Sequence, residues 1–432
     1  MRTNIKRYCK AKERTEDDQE QKVMLSSADL TSHDDILTEI LLRLPIRSLL
    51  RSKCVSKHWR SLISSHRFAQ LRNPNPSAPC GLFLQRICNV TLPEYDFVPF
   101  DREKHLKPPF KTMSFPGNVS NSGIIVLHSS NGLMLCHTLH EYFRNTSKEI
   151  VYHGMYYVYN PTINQVATLP KLEGCDWFQR RPRGMTLVFD PVKSHHYKVV
   201  CVRGYLWSDH HYTIEIYSSE TRNWKMSGEP FTNQIDTEFT GGVYWNDAIH
   251  WINKKGYIFY LKLNEDLLDQ IPTPIVRPGW NVKRHCYPLV ESHDSLLFID
   301  IFPPLSLKFN VHEMNGDYSG WTVKYHVDLN AVMTKFPQTS EITVMNLLTF
   351  IRPFQSFVIH CLILGEREED AFLVLEVPGK AIRYNIVKKT CEELCDLDVS
   401  RPFRLCVADD GFSKVGRWPG AFQFIESLSH VY

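Results

Sequence analysis

Histidine carries both proton-transfer and metal chemistry near neutral pH, and this 432-residue chain has nineteen of them. They include the doublets His195-His196 and His210-His211, and a His137/His140 pair beside Cys136. Neighbouring residues on a strand face opposite sides, so a doublet chelates poorly. No carboxylate or thiolate spacing completes a site, so surface or turn histidines and no metal are expected. His312-Glu313 opens like a zinc-protease helix, but Gly316 stands where the second histidine is required. Gly379-Lys380 lacks the earlier glycine of a phosphate-binding loop and is followed by Ala381. No G-x-S-x-G elbow occurs. The twelve cysteines contain no C-x-x-C pair, and Cys391 and Cys395 have no second couple. They read as reduced, mostly buried thiols. The expected chemistry is therefore recognition, with no catalytic residue, metal or cofactor.

Recognition has its own residue types. Trp and Arg are the commonest interface hot spots. From Cys175 to Arg183 the chain reads Cys-Asp-Trp-Phe-Gln-Arg-Arg-Pro-Arg, which joins Trp177 and Phe178 to Arg180, Arg181 and Arg183. Trp207, and Trp280 with Arg284, are weaker candidates of the same kind. The competing reading makes these tryptophans sheet core.

Composition narrows the partner. Lys+Arg at 50 against Asp+Glu at 47 gives no whole-chain reason to expect nucleic acid or a membrane. The longest apolar runs, Val344–Ile351 and Phe357–Leu364, fall short of the ~18–20 residues of a membrane helix. Residues 1–22 carry seven Lys/Arg and five Asp/Glu, a solvated tail rather than a secretory signal. A chain of the cytosol or nucleus is expected.

The elements that position these residues change character along the chain. Ser32-His33-Asp34-Asp35 is a capping-box-like start. Ile36, Leu37, Ile40, Leu41 and Leu44 follow at helical spacing until Pro45 stops the helix. Ser48 is placed to cap a second helix with Leu49, Leu50 and Cys54. A third carries Val55, Trp59, Leu62 and Ile63, and Asn73-Pro74-Asn75-Pro76 closes the unit. Three short helices cannot cover so many apolar side chains, so something else packs on them. From Arg43 to Arg72 there are eight Lys/Arg and no Asp/Glu, which favours an acidic protein partner. A nucleic-acid reading explains neither the apolar stripe nor the Leu44-Pro45 break.

Asp35-Ile-Leu-Thr-Glu-Ile-Leu-Leu-Arg-Leu-Pro45, Ser48-Leu-Leu-Arg51 and Cys54-Val-Ser-Lys-His-Trp-Arg-Ser-Leu-Ile63 closely resemble the F-box motif, especially its plant form. The resemblance implies docking on a Skp-type adaptor and, through it, a cullin and a RING subunit. Carried over by position, the adaptor-facing residues are Ile36, Leu37, Ile40, Leu44, Pro45, Leu49, Leu50, Val55, Ser56, Trp59 and Leu62. Of these, Trp59 and Leu62 are the ones expected to hold the helices together instead. One departure stands at Ser32-His33, where the family usually has Leu-Pro.

Beyond Pro79 short β-branched and aromatic runs recur, among them Tyr197–Val202, Tyr212–Tyr217 and Phe372–Val377. A cadence of strand, polar turn and return strand appears around Tyr159, Tyr217, Leu261, Phe309 and Tyr384, at intervals of 58, 44, 48 and 75 residues. The middle values suit a propeller blade, and six or seven such units would fill the segment. A pair of β-sandwiches is the alternative. Ser130-Asn-Gly-Leu-Met-Leu-Cys136, Phe189-Asp-Pro-Val-Lys-Ser194 and Gly242-Val-Tyr-Trp-Asn-Asp-Ala-Ile-His-Trp251 resemble the kelch-like associated domain of plant F-box proteins.

The expected class is α+β as separate domains: a charged tail at 1–27, a three-helix F-box at 28–75, and an all-β, propeller-like domain at 80–430. The function the resemblance implies is a substrate receptor of a Skp–cullin–F-box ubiquitin ligase, with an unidentified protein target held by the β domain. The alternatives are a non-degradative scaffold, and a propeller binding module or enzyme with a vestigial F-box.

Overall fold

A computed structural model describes residues 34–72, 79–87, 93–101, 124–138, 140–143, 150–153, 155–172, 180–205, 211–232, 239–253, 256–274, 289–300, 307–336, 357–397 and 420–432. Two compact units meet at Pro74 and Asn75, one helical and one built of strands.

The helical unit has four described helices, α1 (34–42), α2 (Ile46–Ser52), α3 (Lys57–Ile63) and α4 (His66–Arg72). Two expectations need correction. The pattern gives three helices, whereas α4 follows because the Ser65 hydroxyl accepts the Phe68 N–H at 3.1 Å and starts a new turn. Ser48 does not cap α2; the helix begins directly after Pro45, whose carbonyl accepts the Leu49 N–H at 3.0 Å. Proline is well suited to that boundary because it ends one helix while its fixed φ leads the next. Ser56 caps α3 by accepting the Trp59 N–H at 3.0 Å, which leaves Val55 outside the helix. Leu41, Ile46, Leu49, Ile63 and Phe68 are buried in this small core.

The strands form six antiparallel sheets in a ring, with one extra hairpin. Blade 1 combines β1 (Gly81–Ile87) and β2 (Pro93–Pro99) with β25 (Ala421–Phe424) from the far end of the chain. Blade 2 holds β3 (Ile124–Ser130), β4 (Leu133–Thr138), β7 (Tyr156–Asn160) and β8 (Gln165–Thr168). Between its middle strands lies the hairpin β5 (His140–Phe143) and β6 (Ile150–His153). Blade 3 is β9 (Arg180–Val188), β10 (Lys198–Tyr205), β11 (His211–Ser218) and β12 (Asn223–Thr232). Blade 4 is β13 (Val243–Trp245), β14 (Ala248–Ile252), β15 (Tyr257–Lys262) and β16 (Leu267–Pro272). Blade 5 is β17 (Leu289–Ser292), β18 (Ser295–Asp300), β19 (Lys308–Met314) and β20 (Trp321–Asp328), followed by a short helix, α5 (Asn330–Lys335). Blade 6 is β21 (Val358–Ile363), β22 (Phe372–Val377), β23 (Lys380–Asn385) and β24 (Cys391–Asp396).

Each of the five cadences read from the sequence is the hairpin between the third and fourth strands of blades 2 to 6. The reason for the long apolar runs lies in the packing. Side chains alternate across a strand, and here both faces of each sheet are covered. On β1, Leu82 and Leu84 pack toward blade 6 while Phe83 packs toward blade 2. On β18, Leu297 and Ile299 meet blade 6 while Leu296 and Phe298 meet blade 4. Clusters of this kind fill the 1–2, 2–3, 3–4, 4–5, 5–6 and 6–1 gaps. A sandwich would give each sheet one packed face, so the β-sandwich alternative falls.

Within a four-stranded blade, the first-to-second and third-to-fourth turns lie on one side of the ring, the turn face. The first-to-second turns of blades 2, 4 and 5 are two-residue reversals with both φ positive, at Asn131-Gly132, Asn246-Asp247 and His293-Asp294. That is the turn whose twist matches a hairpin. After β25 the chain crosses this face. Asn160 donates to the Ser427 and Ser429 carbonyls at 3.1 and 2.7 Å, and the Tyr197 hydroxyl donates to the Tyr432 carbonyl at 3.0 Å. The strap thus ties the closing strand to blades 2 and 3.

A polar network spans the turns of blades 3 to 5. Lys193 reaches Asp247 at 2.7 Å, and Asp247 also accepts the Tyr244 hydroxyl at 2.9 Å. On β17, burial holds the Glu291 carboxyl up at about 7, helped by the charges of Asp294 and Asp190 and opposed by the Asp294 N–H it accepts.

Two outcomes follow. Phe424 sits edge-on to Phe83 and Phe97 where the ring closes, so Phe424→Ala should cost about 3–5 kcal/mol, read as a lower urea midpoint. A raised carboxyl pKa in the folded state means the folded chain holds a proton that the unfolded chain releases above ~4.3. Its contribution is complete below that value and is lost as pH rises through about 7. The urea midpoint of wild type should therefore fall relative to that of Glu291→Gln between about pH 5 and about pH 8.

Candidate functional site

The 3.6-residue period of α1 separates two apolar stripes. Leu41 is buried in the core with Leu37 half-buried beside it, while Ile36 and Ile40, one turn apart, remain 59% and 55% exposed. Val55, in the loop before α3, is 64% exposed. Asp34 Oδ1 and His58 Nε2 meet at 2.8 Å, which brings the first turn of α1 to the first turn of α3, just beyond Val55. At the opposite end Arg72 donates to the Leu42 carbonyl at 3.0 Å. These two links fix an open apolar surface on a unit too small to bury it.

The eleven expected docking residues divide by position. Ile36, Ile40, Pro45, Val55 and Ser56 are exposed, and Leu37, Leu44, Leu50, Trp59 and Leu62 are half-buried. Leu49 is completely buried, so it is a core residue and not a surface contact. On α2 Ile46 and Leu49 are both buried, while Leu50 is half-buried. Leu71 is exposed although no reading singled it out; its signal was a place one turn beyond the buried Phe68 on the overlooked α4. Cations surround the surface: Arg43, Arg47, Arg51, Lys57, Arg60 and Arg67 are exposed.

On the propeller, the connections between second and third strands of the four-stranded blades, and those leading from one such blade to the next, share the side opposite the turns, the loop face. Arg180 and Arg181 lie on β9 in register with Tyr205 and Gly204 of β10. Arg183 is half-buried and lies over Gly204, where a Cβ would meet Arg183 Nε at 2.9 Å and Tyr212 Cε1 at 3.1 Å. The missing side chain at Gly204 is what makes room for the arginine. Trp177, Phe178, Trp207, Trp280 and Arg284 lie outside the described residues. Their flanking strand ends are described: the pairing of Arg180 with Tyr205 means the chain before β9 and the chain after β10 leave blade 3 side by side. β16 ends and β17 begins on the loop face as well. Met155 and Tyr257 are exposed at the matching connections of blades 2 and 4, on either side of blade 3. Each is a large apolar residue at the threshold of a third strand, a signal the cadence reading passed over.

The histidines depart from expectation. His137, His250, His312 and His360 are buried in strands. His137 stacks on Tyr156 at 4.5 Å, and His360 Nε2 meets Glu376 at 2.8 Å. Burial holds His250 down at about 4, against the hydrogen bond it makes to the Val243 carbonyl. Among the described residues, no group of three or more His, Cys, Asp or Glu could hold a metal ion. Cys136, Cys201 and Cys361 are buried as expected of core thiols, whereas Cys54 is exposed.

A small helical unit with exposed apolar side chains precedes a six-blade β-propeller. The F-box domain model matches residues 33–71, and the F-box associated beta propeller domain model matches residues 95–275. The chain is 30% identical over 424 residues to F-box protein At5g07610 of Arabidopsis thaliana, covering 94% of each. It is 32% identical to F-box/kelch-repeat protein At4g19930 of the same plant, over 39% of this chain and 38% of that one. A chain of a nidogen/laminin complex aligns at 9% identity and TM-score 0.37, over 80% of this chain and 99% of its own. The protein belongs to the F-box family, in the branch with an F-box-associated β-propeller.

The two kinds of leucine and isoleucine are separable by stability. Leu49→Ala should destabilise the helical unit by about 2–5 kcal/mol, whereas Ile40→Asp should stay within about 0.5 kcal/mol of wild type. Thermal melts followed at the helical signal distinguish them.

Proposed function

We propose that this F-box protein is a substrate receptor of a Skp–cullin–F-box ubiquitin ligase, working in the cytosol or nucleus. Its helical unit docks on a Skp-type adaptor, which links it to the cullin and the RING subunit. The loop face of its propeller holds a protein target. The observation that carries the reading is the exposure of Ile36, Ile40 and Val55 within the F-box match, since exposed apolar side chains in such a small unit favour a protein cover.

In this reading the chain supplies no catalytic group. Holding a target beside a charged ubiquitin carrier raises the effective concentration of its lysines, and that proximity is the chain's contribution to the rate. The target surface combines Arg180, Arg181 and Arg183 with Met155 and Tyr257, and extends to the connections that contain Trp177, Phe178, Trp207, Trp280 and Arg284. Arginine and large aromatics at the rim of a rigid scaffold suit such a role.

Co-purification with a Skp-type adaptor tests the docking half. Wild type should retain the adaptor, and Ile40→Asp with Val55→Asp should lose it at least tenfold, because burying two carboxylates in an apolar contact costs well over the ~1.4 kcal/mol of one decade. Both chains should melt at the same temperature. Retention of the adaptor by the folded double variant would move docking elsewhere.

A further inference from the structure

The helical unit carries charge as well as apolar surface, and the two are interleaved. Val55 stands between Lys53 and Lys57, with Arg60 one helical turn further on and Arg51 at the end of α2. Lys53 is half-buried, and burial together with the Arg60 guanidinium holds its ammonium below the ordinary value. Burial is the larger cause, and the like charge of Arg60 adds to it. Of the acids on α1, Glu39 pairs with Arg43 at 3.0 Å, and Asp34 pairs at the edge of the patch with His58 at 2.8 Å. Among the described residues, Arg51, Lys57 and Arg60 have no carboxylate within ion-pair distance. A set of clustered, uncompensated cations keeps a standing positive potential over that patch.

Two occupants could relieve it, an acidic protein surface or a nucleic acid. A nucleic acid would neutralise the cations but leave Ile36, Ile40 and Val55 in water, because phosphate contacts need only charge. An acidic protein surface serves both the cations and the apolar residues among them. Apolar contact sets how long such a complex lasts, while rim charge sets how fast it forms.

We propose that Arg51, Lys53, Lys57 and Arg60 form a cationic rim around Val55 that steers an acidic stretch of the adaptor onto the apolar surface and sets the association rate. The inference rests on the docking reading above. It adds the chemistry of the partner and assigns separate residues to rate and lifetime.

Association kinetics of the full chain with a purified Skp-type adaptor test it. Raising salt from about 0.1 M to about 1 M shortens the Debye length from ~10 Å to ~3 Å. The wild-type association rate should then fall about tenfold or more, with dissociation changed less than about twofold. The variant Lys53→Gln, Lys57→Gln, Arg60→Gln should associate about tenfold more slowly at low salt and show a flat salt dependence, with its dissociation rate kept. Its melting temperature should not fall, since the substitutions remove repulsion. A variant that associates as fast as wild type, or whose defect lies in dissociation, overturns the rim while leaving docking intact. Absence of adaptor binding by wild type overturns the docking reading, and the rim with it. Salt-insensitive adaptor binding together with salt-sensitive binding of a DNA or RNA oligonucleotide overturns it in favour of nucleic acid.

Discussion

Everything in the sheet domain depends on one pairing, that of β25 with β1. Gly81 to Leu84 align antiparallel with Phe424 back to Ala421, so the first blade is built from both ends of the domain. Without that pairing β1 would have a free inner edge, and the 6–1 and 1–2 gaps would lose part of their covering. The apolar clusters show how much rides on it. Phe422 and Phe424 complete the cluster shared with blade 2, and Ala421 packs on the one shared with blade 6. The Tyr95 hydroxyl adds a polar clasp to the same joint, donating to the Ile124 carbonyl at 3.0 Å and accepting the Val126 N–H at 2.9 Å. A ring closed in this way has no terminal blade to fray, and edge exposure is confined to the outer strands.

Closure also decides which parts of the domain are free to serve recognition. Where a sheet is covered on both faces, the inner and middle strands commit most of their side chains to a neighbouring blade, while outer strands such as β12 and β16 stay largely exposed. Trp251, Tyr197 and Tyr384 are examples of large aromatics wholly used in this way. What remains is the outer strands and the connections. On the turn face the first-to-second turns of blades 2, 4 and 5 are two-residue reversals, and the strap from Ile425 to Tyr432 occupies blades 2 and 3 through Asn160, Gln165 and Tyr197. On the loop face Met155 and Tyr257 are exposed, while Val192, Leu267 and Val387 are exposed on the turn face.

Legibility followed the physics of each element. Hairpins between third and fourth strands could be read because an aromatic marker, a polar turn and a return strand lie within a dozen residues. Blade 1 could not, because its partners are separated by more than three hundred residues and neither end carries the cadence. The helical stripe of α1 was plain, yet its spacing alone did not say which apolar residues face inward; Leu41 went to the core and Ile40 did not. The start of α4 hid in a serine-rich junction, where Ser64 and Ser65 look like a loop until Ser65 is seen to cap. Buried histidines were misread because a strand covered on both faces admits them wherever a backbone carbonyl or a carboxylate is at hand, as the Val243 carbonyl is for His250. The tryptophan-bearing stretches were chosen for composition, and topology adds the reason they belong together: strand direction delivers their flanking ends to one side of the ring.

The two units use the same force in opposite ways. In the propeller, six sheets satisfy one another, and most of the apolar surface is consumed between blades. The helical unit is an order of magnitude too small for that solution. Leu41, Ile46, Leu49, Ile63 and Phe68 exhaust its interior, and the isoleucines of α1 are left on the outside because there is no further layer to receive them. Apolar exposure is thus built into so small a unit by its size, and the cations around Val55 keep that surface from attracting its own kind. Like-charged copies repel one another, whereas a partner of opposite charge is drawn in. In the proposed docking, that combination suits an acidic protein with an apolar centre.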